Sequence, residues 1–94
     1  MDGQNVISPE VTARYAADAA REVSGVTRIV EGVRKGVRVG SDGVVELHLA
    51  FAWGTSLPAV AAEVQSRVTE YLARMADVSV PGVNVIVEEL DGRP

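Results

Sequence analysis

The 94 residues contain no cysteine. A disulfide scaffold and thiolate metal sites are both excluded, and the redox compartment is left unread. Large aromatics are scarce, being limited to Tyr15, Phe51, Trp53 and Tyr71. A core must then be built from Val, Leu and Ala, and alanine-rich helix faces allow close approach to a sheet. With one histidine, His48, multi-histidine metal centres and most Ser–His or Cys–His chemistry fall away. No apolar run approaches the roughly 18–20 residues needed to span a bilayer. The opening segment MDGQNVISPE has neither the basic nor the apolar region of a signal peptide. The expectation is a cytoplasmic chain without direct membrane insertion, membrane-associated only through a partner.

Excess positive charge is also missing. The net charge is −4, with six basic and five acidic residues in 1–40 against three basic and eight acidic in 41–94. Such a balance opposes binding to a phosphate backbone, which draws its affinity from a basic surface. One local exception is Arg28, Arg34, Lys35 and Arg38, a candidate anion patch if these are more than solvated strand and loop positions.

What is present is a foldable pattern. A chain this long with 47% hydrophobic residues makes one domain, 1–94, with short unstructured ends at about 1–6 and 91–94. Ser8-Pro9-Glu10 is a helix start, with a hydroxyl cap, proline at the first position and an acid in the first turn. The helix should reach about Val23, with Gly25 beyond it, and Val11, Tyr15, Ala16, Ala19 and Val23 as its buried stripe. Val26–Val30 and Val37–Val39 read as short strands, and Gly40-Ser41-Asp42-Gly43 as a tight turn. Val44–Trp53 alternates: Val45, Leu47, Leu49, Phe51 and Trp53 face the core, and the even positions face outward. Ser56 and Pro58 open a second helix whose Val60, Val64, Val68, Leu72 and Met75 form a stripe, with Glu63–Arg67 and Glu70–Arg74 pairs outside. After Pro81-Gly82, Val83, Val85 and Val87 mark a last strand. The order α-β-β-β-α-β predicts an α+β two-layer sandwich, two helices on one face of a mainly antiparallel sheet.

Little in this pattern carries chemistry. Glu46 and His48 share a strand face, so a carboxylate–imidazole pair is possible, although a lone outward histidine is commonly a surface residue. Glu88 and Glu89 are adjacent on a strand and should point to opposite faces. Gly32, Gly36 and Gly40 lack the Lys-Ser/Thr of a P-loop. Trp53 reads as core more readily than as a contact residue. No catalytic, cofactor-binding or metal-ligating set is expected.

One pattern begins with Ile7-Ser8-Pro9-Glu10-Val11, then Ala17, Ala20, Glu22, Val23, Gly25 and Val26. It continues through Gly54, Ser56, Pro58, Val60, Ala61, Val64, Gln65 and Val68, and closes on Val83, Asn84, Val85 and Val87. In these residues the sequence resembles the alkaline-shock, envelope-stress-response family of Gram-positive-type bacteria. Two departures stand out: the segment Thr27–Gly36 is short, and Trp53 stands where a tyrosine is usual. The resemblance implies a non-enzymatic, self-associating protein, some of whose relatives are held at the membrane by a small membrane-spanning family member. It brings no catalytic residues.

The expected role is a stress-response scaffold or interaction domain that forms homo-oligomers, with no cofactor or small-molecule substrate. Its contact surface should be the uncovered sheet face: Glu46, His48, Ala50, Ala52 and Ile86. The alternative is a nucleic-acid-binding domain using Arg28–Arg38, which lacks interleaved aromatics and a clamp loop.

Overall fold

The computed structural model describes residues 6–92. Its elements are α1 (Pro9–Arg21), β1 (Val26–Ile29), β2 (Val37–Val39), β3 (Val45–Ala52), α2 (Leu57–Ala76) and β4 (Val83–Asp91), the predicted order. Both helices start as their sequences indicate: Ser8 Oγ accepts from the Val11 amide at 3.2 Å and Ser56 Oγ from the Ala59 amide at 3.4 Å, each with a proline one or two residues on. Asp77, in the left-handed conformation, ends α2.

β3 is the centre of the sheet. On one side it pairs antiparallel with β1 along its C-terminal half and with β2 along its N-terminal half; on the other it pairs parallel with β4. A parallel neighbour needs a long crossover, which α2 supplies. β1 and β2 are two pieces of one edge. Val30 donates to the His48 carbonyl at 2.8 Å, His48 to that of Gly36 at 2.9 Å, and Gly36 to that of Val30 at 2.8 Å. Residues 31–35 therefore leave the ladder as a short excursion whose base is closed by hydrogen bonds.

The inner face is uniformly apolar. Val45, Leu47, Leu49 and Phe51 are fully buried beneath Val60, Val64, Val68 and Leu72 of α2 and Ala16, Ala19 and Ala20 of α1. α1 lies over the β1–β2 edge and α2 over β4. Tyr15 and Tyr71 meet edge to face across the helices, with centroids 5.9 Å apart. Gly25, at φ +102°, leads α1 into β1 where a Cβ would come within 2.8 Å of Val60, so only glycine fits without displacement.

Several expectations shift. Val11 is exposed and Thr12 takes the buried position, because α1 crosses the sheet on its alanines. Met75 and Trp53 are about half exposed, since each lies at the end of its element beyond the packed layer. Of the two ion pairs foreseen on α2, Glu63–Arg67 closes at 3.1 Å among the described residues. Asp91 is no frayed end: it belongs to β4, and its carbonyl accepts from the Trp53 amide at 2.7 Å. Of the other expected loose residues, Val6 and Gly92 lie outside the helices and strands, and 1–5 and 93–94 lie outside the described residues.

Candidate functional site

The helix-free outer face begins with the even-numbered residues of β3. Register places Arg38, Glu46 and Asn84 in one row and His48 and Ile86 in the next, followed by Arg28, Ala50 and Glu89, and then Ala52 and Asp91. Two irregularities flank Ala50. The β1 ladder steps from Val26 to Arg28, leaving Thr27 as the extra residue, and the β4 ladder steps from Val87 to Glu89, leaving Glu88. A bulge puts two residues opposite one and reverses the following alternation. Glu88 and Glu89 consequently both reach outer-face partners, a correction to the expectation that neighbours on a strand diverge.

These displaced side chains cross the face in two groups. Arg28 spans Ala50 to reach Glu89 at 2.8 Å and both carboxylate oxygens of Asp91, at 3.1 and 3.2 Å; the Thr27 hydroxyl donates to Asp91 at 2.6 Å. The Thr27 hydroxyl and then Arg28 hold the Asp91 carboxyl below its ordinary range. In the second group His48 lies between two carboxylates, with Nδ1 2.7 Å from a Glu88 oxygen and Nε2 2.7 Å from a Glu46 oxygen. Lys35, from the excursion, reaches the other oxygen of Glu88 at 3.4 Å. Burial alone would lower the His48 pKa; the hydrogen bonds to Glu88 and Glu46 together outweigh it and the net displacement is upward. Glu88 is held below its usual range, first by His48 and then by Lys35.

The face is therefore not the open platform that its small residues suggest. Ala50 is fully buried and His48 is 8% exposed, whereas Glu46, Ala52 and Ile86 remain partly accessible. Of the candidate anion patch, Arg28 and Lys35 are already engaged by carboxylates. Arg34 lies exposed in the excursion, and Arg38 lines the cleft beside the β2–β3 turn. Arg38, Val39, Gly40, Asp42, Val44, Glu46 and Asn84 line a shallow cleft of about 320 Å³ at that turn.

Sequence reading missed Thr27, Glu88, Glu89 and Asp91. The signal was a change of step. Inner-facing apolar residues of β4 run 83, 85, 87 and then 90, and those of β1 run 26 and 29. A step of three within a strand marks an extra residue.

Comparisons with known proteins agree with this architecture. The sequence pattern of the alkaline shock protein family, described as having a cell envelope-related function, matches residues 31–91. The uncharacterized protein YqhY of Bacillus subtilis strain 168 is 33% identical, over 88% of this chain and 73% of its own length. Among solved structures, the chain of MamM CTD H264E superposes with a TM-score of 0.54 at 18% identity, covering 85% of this chain and 93% of that one. The last similarity is one of fold. Among the described residues no helix is long and apolar enough to cross a membrane.

Proposed function

This chain belongs to the alkaline shock protein family, whose described function is related to the cell envelope, and from that premise we propose that it is a non-catalytic interaction module. It self-associates in the cell-envelope stress response, and it docks on a membrane-anchored relative that holds it at the membrane from the cytoplasmic side. The observation that supports this most is the arrangement of the sheet. One face is fully used by the helices, while the other carries partly exposed Glu46, Ala52 and Ile86. That second face runs without interruption to β4, which pairs only with β3 among the described residues. An unpaired strand edge beside an uncovered face is a common place for a second chain to add.

The chemistry present fits the same reading. Both imidazole nitrogens of His48 are committed to carboxylates, and Arg28 and Lys35 are neutralised within the chain rather than held ready for a polyanion. The basic segment is thus better suited to holding the sheet face together than to binding nucleic acid.

The test is sedimentation equilibrium across protein concentration, for the native chain and for Ala52→Lys and Ile86→Lys, with circular dichroism to establish folding. We expect concentration-dependent association of the native chain and folded, monomeric variants. A native chain that stays monomeric at all concentrations removes self-association. Variants that assemble as before remove this surface.

A further inference from the structure

Each nitrogen of His48 stands 2.7 Å from a carboxylate oxygen, one on its own strand and one on β4. An ionised carboxylate can only accept a hydrogen bond, and a neutral imidazole has a single N–H. Both contacts therefore require the doubly protonated ring. A neutral ring at 8% exposure would turn a lone pair toward one of the two carboxylates at that distance. We propose that His48 is a proton-operated clasp: tied through Glu88 to β4 and the 31–35 excursion, it also holds Glu46 at the centre of the outer face when doubly protonated, and on losing one proton it releases Glu46.

The two carboxylates are not equivalent, which decides the one that leaves. Glu88 is the less exposed, at 22% of its side chain, and is also held by Lys35; Glu46 is 39% exposed and, among the described residues, is held by His48. Glu46 also has a destination. It lies directly across the β2–β3 ladder from Arg38, and both line the cleft beside Gly40, Asp42 and Asn84. The neutral ring keeps its proton on Nδ1 for Glu88, and Glu46 swings to Arg38, narrowing that cleft. In the closed state Glu46 and Glu88 are balanced by His48 and Lys35; in the open state the group carries one net negative charge.

The charged groups around His48 are Glu46 from β3, Glu88 from β4 and Lys35 from the excursion. Beyond them lie Arg28 with Glu89 and Asp91, and Arg38 on β2. Both helices pack on the opposite face. The upward displacement of His48 from its ordinary value of 6.5 keeps the clasp closed to a higher pH than a free imidazole would and opens it above that. This device does not depend on the face meeting a partner.

Nuclear magnetic resonance of the ¹⁵N-labelled 94-residue chain tests it directly, following the His48 ring nitrogens and the backbone amides from acid to alkaline pH. We expect imidazolium signals on both nitrogens to persist above the ordinary histidine value and then disappear in one transition. The amides of Arg38, Glu46, Asn84 and Gly36 should shift with the same midpoint while those of α1 and α2 stay still. Glu46→Gln should lower the midpoint and abolish the Arg38 and Asn84 responses, and His48→Gln should abolish all of them. A ring that titrates at or below the ordinary value overturns the proposal. So does a ring transition that leaves Arg38 and Asn84 unmoved, or one that moves the helices equally.

Discussion

The two faces of the sheet are built from alternate residues of the same strand, yet they solve opposite problems. Below β3, Val45, Leu47, Leu49 and Phe51 belong to a buried cluster of apolar side chains, so cohesion there is non-directional and grows with the area removed from water. Above it, His48 is joined to Glu46 and Glu88, Arg28 to Glu89 and Asp91, and Lys35 to Glu88, by directional ion pairs between 2.7 and 3.4 Å. The inner face fixes stability with little regard to pH or salt. The outer face contributes less, and what it contributes changes with proton and ion concentration. Part of the outer face is nevertheless as dry as a core: Ala50 is inaccessible because Arg28 passes over it to Glu89.

The comparison can be broken most severely from below. Leu49→Ala removes a fully buried side chain and should cost about 2–5 kcal/mol, read from the urea midpoint at unchanged slope. A loss under about 1 kcal/mol would mean that the helices are not seated as described. Next comes a paired substitution above. Ala50→Leu must lift the Arg28 bridge and should cost about 1–3 kcal/mol, whereas Ala52→Leu, which has partial access, should stay within about 0.5 kcal/mol. Equal effects at the two positions would show that the bridge does not close over Ala50.

The smallest effect is the dependence of stability on pH. His48 is raised in the folded chain, so its stabilisation is complete below the ordinary value of 6.5 and is lost as pH rises through the folded value. Glu88 and Asp91 are lowered, so theirs is complete above ordinary values of 4.5 and 3.8 and is lost as pH falls. Urea midpoints should therefore be highest between 4.5 and 6.5 and fall gently on both sides. His48→Gln should lose the alkaline decline, and Leu49→Ala should keep it. A variant without His48 that still weakens at the same alkaline pH would assign that limb to another group.

How much of this was legible in the sequence follows from the same contrast. Period-two and period-four apolar spacing gave the helices, the strands, their order and the inner face, because burial of apolar area is what such spacing encodes. Serine before proline gave both helix starts. The outer face was read as small and mixed, which is true of β3 taken alone. What closes it comes from Thr27, Arg28, Lys35, Glu88, Glu89 and Asp91, brought there by two bulges and an excursion. Bulges depend on how strands pair, and pairing is settled between segments distant in sequence. The placement of Trp53 and Met75 failed for a simpler reason: periodicity continues to the end of an element, whereas packing stops where the neighbouring layer does.

The 31–35 excursion leaves and rejoins the edge at two residues, Val30 and Gly36, which are bonded to each other and to the two sides of His48. Everything beyond that closure hangs outside the ladder. Lengthening it would leave the strand register unchanged and cost mainly loop entropy, about 0.6 kcal/mol for each doubling. This is thus the position where the chain can accept foreign sequence, a tag or an inserted peptide, at the centre of the sheet edge rather than at a terminus. Lys35, next to the closure, is the residue such an insertion would have to preserve.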